Sequence, residues 1–172
     1  ALGGIVYRKA VRVAGDRRDE AIVGYIRRKH HLLIGSSTAE IIKTTVGNAF
    51  PRDQIDTVEV KGRDLVTGIP KILTIGSDEV REAISDQINT IVETVHAALE
   101  QIPPELAADL VDSGIMLTGG GALLRNLDEL LRNETKLPIH ISEDPLSAVA
   151  VGAVVLGLVV WFAVRAGLGG AA

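Results

Sequence analysis

Ile115-Met116-Leu117-Thr118-Gly119-Gly120-Gly121-Ala122-Leu123-Leu124 runs from apolar and β-branched residues into three glycines, and a helical pattern follows at once. That order reads as strand, tight turn, helix. Three consecutive glycines carry no Cβ, so the backbone can take positive φ and a ligand can approach it closely. A helix opening there offers unpaired N–H groups and a positive dipole end to an acceptor. The plain alternative is a βα turn that needs glycine only to reverse direction. The stretch matches neither the phosphate loop GxxxxGK[ST] nor the dinucleotide fingerprint GxGxxG, so its neighbours must decide.

Downstream, Leu123, Leu124, Leu127, Leu130 and Leu131 continue a helical stripe, and Pro138 introduces a short strand, Ile139-His140-Ile141. Strand, helix, strand is a βαβ unit, which demands parallel pairing and a right-handed crossover. Ligands on such sheets lie beyond the carboxyl ends of the strands, where Gly119 to Gly121 fall. Upstream, Val80, Ile84, Ile88, Ile91, Val92, Val95 and Leu99 recur at three- and four-residue intervals and predict one long helix capped by Ser77 or Asp78. Pro103-Pro104 ends it, and Pro104 starts a short helix over Glu105 to Asp112.

The first half has its own organisation. Ile5 to Val13 reads as a strand, and Asp16 as the cap of a helix with Ala21, Ile22, Tyr25 and Ile26 on one face. Arg27, Arg28, Lys29 and His30 read as a basic last turn that complements the dipole. Ser37-Thr38-Ala39-Glu40 has the pattern of a capping box, opening a second helix that buries Ile41, Ile42 and Val46 and stops at Gly47-Asn48. Ile55 to Lys61 and Lys71 to Ile75 predict a hairpin, with Gly62 to Pro70 as its link and the turn at Thr67-Gly68.

Composition narrows the function classes. Of 172 residues, 47% are hydrophobic and 23% charged, which describes a globular chain with a real core. A net charge of −4 and 3% aromatics give no electrostatic or stacking case for nucleic acid. With no cysteine, disulfide and thiolate chemistry are excluded, and the four histidines show no metal-ligand spacing. The chain opens Ala1-Leu2-Gly3-Gly4, without methionine or a targeting segment, which suggests a fragment or truncated form. Near the other end, Ala148 to Val164 are seventeen residues without a charge. As a helix they would reach ~26 Å, against a hydrocarbon core of ~30 Å. A buried helix followed by a loose apolar tail, a tail anchor, and a sequence artefact all remain open readings.

Several stretches resemble the MreB family of bacterial actin-like cell-shape proteins. They are Leu2 to Tyr7, Arg12 to Asp16, Asp19 to Ile22, Tyr25 to Lys29, Leu32 to Gly35, Thr38 to Glu40, Gly62 to Gly68, Pro103 to Asp109, Leu117 to Leu124, and Glu143 to Leu146. The resemblance covers residues 1 to about 152 and implies the C-terminal half of an actin-like ATPase fold, of class α/β. Residues 1–15 and 76–152 would form the larger subdomain, which contains the βαβ unit, and 16–75 an inserted smaller α+β subdomain. Residues 153–172, an atypical apolar tail, depart from the family pattern. The family's adenosine motif falls on Leu117 to Ala122, so Gly119, Gly120, Gly121 and Ala122 become candidate nucleoside-binding residues. Its second connecting helix falls on Asp144 to Gly152. The family's adenine- and ribose-facing Glu and Lys fall on Glu40 and Lys43. Read without the resemblance, Glu40 completes the capping box and pairs with Lys43 at i,i+3.

The resemblance further implies ATP as ligand, with Mg²⁺ held by the other half, and homo-polymer subunits as partners. It also implies membrane-associated cell-wall (peptidoglycan) synthesis machinery at the inner face of the cytoplasmic membrane, and a role in rod shape. The phosphate loops and metal-holding Asp of this fold would precede Ala1, as would the family's membrane-seeking segment. No catalytic residue is therefore assigned, and this chain is not expected to hydrolyse ATP unaided. The rival classes are a membrane-anchored interaction module and the nucleotide-binding half of another actin-superfold ATPase, a chaperone or small-molecule kinase.

Overall fold

A computed structural model describes residues 7–11, 15–118, 120–143 and 160–164. Two sheets organise them. The first is parallel throughout, in the order β1 (Tyr7–Val11), β7 (Val160–Val164), β5 (Ile115–Thr118), β6 (Ile139–Ile141). The second is antiparallel and joins β2 (Leu32–Leu33), β3 (Thr57–Asp64) and β4 (Pro70–Gly76). The β5–β6 pairing, with Ile115 opposite Ile139, is the parallel register a βαβ unit requires.

Between β1 and β2 lies α1 (Gly15–His30), whose Ile22 and Ile26 are buried as their spacing predicts. It starts at Gly15, so Asp16 sits inside the first turn and is not its cap. The next helix, α2 (Ser36–Val46), begins after Gly35, which makes no side-chain cap, so Ser37 and Glu40 do not form the expected capping box. Ala39, Ile42 and Val46 face inward, while Ile41 is 59% exposed. Successive residues lie about 100° apart on a helix of ~3.6 residues per turn, and Ile41 is turned away from the stripe that Ala39, Ile42 and Val46 form.

The hairpin is longer than its sequence suggests, because Gly62 and Arg63 still pair with Lys71 and Pro70 of β4. Asp64 accepts hydrogen bonds from the Val66 and Thr67 amides at 2.8 and 3.0 Å, and Gly68 turns the chain at φ +74°. These Asx contacts replace a loose loop by a five-residue turn.

The predicted long helix is two, α3 (Ser77–Ala83) and α4 (Ser85–Glu100), bent at Ile84. Hydrogen bonds continue through the bend, Ile84 to Val80 and Ile88 to Ile84. The bend lets α3 pack on α1 and α2 while α4 packs on β1 and α6 (Leu127–Thr135), which one straight rod would not do. Gly76, not Ser77 or Asp78, precedes α3, and the Glu79 side chain accepts from its amide. After α5 (Pro104–Ser113), Gly114 at φ +75° carries the chain into β5 against the Pro138 carbonyl.

Val160–Val164 form a strand between β1 and β5, so the apolar run Ala148–Val164 is not one continuous helix. Val160, Trp161, Phe162 and Val164 are β-branched or aromatic types that favour a pleated strand. The front of that run and the second connecting helix expected at Asp144–Gly152 lie outside the described residues. Among the described residues, no helix is long and apolar enough to cross a membrane.

Candidate functional site

Strand β5 delivers the chain to the glycines with Ile115, Leu117 and Thr118 buried. The glycines lead into a single 3₁₀ turn, Gly120–Leu123, and not into an α-helix. Gly121 and Ala122 are buried, Ala122 to 1% exposure, and Leu123 points out. Gly119 lies outside the described residues. The first α-helix begins only at Leu127, after Asn126 in the left-handed conformation at φ 57°. Asparagine tolerates that region because its short polar side chain can bond locally; in this fold it bonds to a distant segment instead.

That bond ties the segment after α2 to the segment after the glycine turn. The Asn126 Nδ2 donates to Asn48 Oδ1 at 2.9 Å, and the Ala49 amide donates to the Arg125 carbonyl at 2.9 Å. Asn48 and Arg125 form a parallel β-bridge. Asn48 is 6% exposed, and its Oδ1 also accepts the Phe50 amide at 3.0 Å. The exit of α2 is thereby stitched to the exit of the glycine turn. A further ion pair joins Arg125 to Asp56 at 3.6 Å across an exposed gap.

Glu40 and Lys43 stand on α2, about two turns and a little over one turn before Asn48. Glu40 is exposed, and among the described residues its carboxylate has no ion-pair partner. Lys43 does not pair with Glu40. Its Nζ donates to Asp19 Oδ1 on α1 at 2.7 Å, with the two side chains only 15% and 13% exposed. No hydrogen bond or ion pair among the described residues links Glu40 or Lys43 to the turn itself. The arrangement leaves a free carboxylate acceptor and an oriented ammonium donor on one helix, whose exit is tied to the exit of the glycine turn.

Asp19, Asn48, Arg125 and Asn126 carry this geometry, and none of them has a visible role in the sequence alone. Asp19 reads as a helix-start acid and Asn48 as a helix stop; only pairing across distant segments gives them another use. Arg18 is a second surprise. It continues the Ile22–Ile26 stripe one turn earlier and is 3% exposed, with its Nε unpartnered. Burial lowers its pKa, and the nearby Asp19 charge only partly offsets this.

Two members of the basic last turn of α1, Lys29 and His30, bond to side chains of α3. Lys29 bonds Glu79 at 3.1 Å, His30 bonds Glu79 at 2.9 Å, and Tyr25 donates to Glu82. Tyr25 and Glu79 raise the Lys29 pKa. These contacts fasten α1 to α3. A separate cleft of about 370 Å³ opens between α3, α4 and α6, lined in part by Asp78, Glu82, Asn89, Leu130 and Glu134. None of the candidate nucleoside residues lines it. Among the described residues, no group of three or more His, Cys, Asp or Glu is placed to hold a metal ion. The described residues thus offer no such site for Mg²⁺ by themselves.

Residues 1–158 match the sequence model of the MreB/Mbl protein family. The chain is 51% identical over 152 residues to the cell shape-determining protein MreB of Escherichia coli K12, covering 88% of this chain and 44% of that protein. It is 43% identical over 152 residues to Mbl of Bacillus subtilis 168, covering 88% and 46%. The chain therefore spans somewhat under half the length of these relatives. MreB5 of Spiroplasma citri, in a crystal structure bound to ADP, superimposes with a TM-score of 0.76 at 37% identity, covering 81% of this chain and 43% of that one. The MamK double helical filament shares the fold at a TM-score of 0.63 and 21% identity, covering 78% and 41%. The α/β architecture is that of the actin-like proteins, and the chain belongs to the MreB/Mbl family.

Proposed function

We propose that this chain forms the nucleoside-binding side of an MreB-type filament protein that maintains rod cell shape. The observation that supports the reading is the Asn48–Arg125 stitch, which ties the exit of α2 to the exit of the glycine turn. In this reading the turn, Gly119 to Ala122, presents backbone to the adenosine. Glu40 and Lys43 offer an acceptor and a donor suited to ribose hydroxyls and ring nitrogens. ADP and AMPPNP, the ligands of the Spiroplasma citri MreB5 structures, support the choice of an adenine nucleotide.

Phosphoryl transfer requires phosphates, Mg²⁺ and the attacking water to be held in line. The glycine turn and α2 supply nucleoside contacts, so hydrolysis belongs to a site completed by the phosphate-binding half of the fold. In the assembled protein, ATP binding and hydrolysis regulate polymerisation into filaments. Those filaments lie against the inner face of the cytoplasmic membrane and organise the cell-wall synthesis machinery.

Titration of the ¹⁵N-labelled 172-residue chain with ADP tests the nucleoside contact. The amides of Glu40, Lys43, Gly121 and Ala122 should shift together along one saturation curve. Shifts confined to residues around Asp78 and Glu134 would place the nucleotide in the other cleft and overturn the reading.

A further inference from the structure

We infer that Asp19 is a positioning residue for nucleoside binding: it holds Lys43 away from Glu40, so that the Glu40 carboxylate stays free for the ribose. The inference rests on the nucleoside reading of Glu40 and Lys43. Its physical basis is a competition between two carboxylates for one ammonium. Lys43 follows Glu40 by three residues on α2, a spacing at which the two side chains reach each other and attract. Left alone, they would neutralise one another and occupy the groups a ribose needs.

The structure shows the other outcome. Lys43 Nζ lies 2.7 Å from Asp19 Oδ1, and both side chains are largely buried. Removal from water strengthens that attraction relative to an exposed pair with Glu40. An ammonium carries three N–H donors, and among the described residues Asp19 is the one side-chain acceptor bonded to it, so donors remain for a ligand. The same contact joins α1 to α2, so the lysine stem is held at both ends, by its own helix and by the neighbouring one. Arg18, adjacent on α1, makes no ion pair with Asp19, which leaves that carboxylate to Lys43.

The test compares ADP with 2′,3′-dideoxy-ADP on the full 172-residue chain, with binding read from amide shifts. The parent should prefer ADP. Asp19→Asn should lose most of that preference and bind ADP about five- to tenfold more weakly, while Asp19→Glu, which keeps the charge, restores part of it. A merely structural role for Asp19 would weaken both nucleotides equally and leave the preference intact; that result overturns the inference. If ADP fails to bind the parent, the nucleoside reading and the inference fall together. If ADP binds and Asp19→Asn behaves as the parent, only the inference falls. A measurement without any variant guards against misfolding: with lysine side chains ¹⁵N-labelled, ADP should shift the Lys43 Nζ signal, and an unmoved signal refutes the proposal.

Discussion

Replacing Asn48 by Ala probes the stitch on which the site depends. Asn48 Oδ1 accepts from the Phe50 amide at 3.0 Å and from Asn126 Nδ2 at 2.9 Å. The substitution leaves both donors without their acceptor inside a position that is only 6% exposed. A net hydrogen bond is worth about 1 kcal/mol, and an unpaired buried donor costs about 1–3 kcal/mol. Both donors belong to half-buried residues, where water can recover part of the loss. The expected destabilisation is therefore about 1.5–3 kcal/mol, or roughly 4–10 °C in Tm for a chain of this size. Urea unfolding gives the energy, and hydrogen exchange at the Ala49 and Phe50 amides shows whether the loss is local. Asn48→Asp keeps the accepting oxygens and should lose less than half as much. Since the stitch holds α2 to the glycine turn, Asn48→Ala should also weaken ADP binding in the folded state. A variant within about 0.5 kcal/mol of the parent, with unchanged exchange at both amides, would refute the reasoning.

Other expected outcomes concern single positions. Arg18→Leu should stabilise the chain by about 1–3 kcal/mol in urea unfolding, because it removes a buried guanidinium with an unpartnered Nε from an apolar stripe; a loss of stability would show that the guanidinium is paired. Gly114→Ala should cost roughly 2–4 kcal/mol, combining a positive φ with overpacking, since the new Cβ would lie 2.3 Å from the Pro138 carbonyl oxygen; an unchanged denaturation midpoint would contradict this. Burial pushes Glu79 up, but hydrogen bonds from Lys29, His30 and the Gly76 amide outweigh it and hold the carboxyl below its usual range. A depressed carboxyl contributes stability that is present above its unfolded pKa of about 4.3 and is lost as pH falls through the folded value. Thermal unfolding from about pH 7 to about pH 3 should therefore show an acid-side decline that is shallower in Glu79→Gln.

Much of the fold is legible because periodicity is a local property. Val80, Ile84, Ile88, Ile91 and Val95 are all buried as their spacing requires, and Ile115–Thr118 and Ile139–Ile141 pair in parallel as the βαβ order demands. The bend at Ile84 is not legible, because it serves packing partners distant in sequence and leaves the hydrophobic spacing intact. The capping pattern at Ser37–Glu40 misleads for a similar reason. With Gly35 as its N-cap the helix starts two residues earlier than that pattern implies, and tertiary packing of Ala39, Ile42 and Val46 fixes which face turns inward. The site divides in the same way. Its glycines are visible as a motif, and Glu40 and Lys43 come from family resemblance. Asp19 and Asn48 are ordinary residues whose partners lie 24 and 78 positions away.

The 3₁₀ turn also changes what the three-glycine stretch can bind. A phosphate cradle at a helix N-terminus draws its strength from several free N–H groups aligned with the dipole of a multi-turn α-helix. Gly120–Leu123 is four residues of 3₁₀ helix, and α6 starts seven positions after Gly120 with Asn126 already committed to Asn48. The turn therefore lacks the electrostatic source that would favour a phosphate. What it retains is the absence of side chains at Gly121 and only a methyl at Ala122, both buried at the end of β5. Near-bare backbone suits a flat, neutral group held at close range, with polar recognition supplied by side chains of another element. Those are the demands of a nucleoside, and Glu40 and Lys43 on α2 have the matching chemistry. An inorganic phosphate titration distinguishes the two cases: it should leave the Gly121 and Ala122 amides unmoved at concentrations where adenosine shifts them.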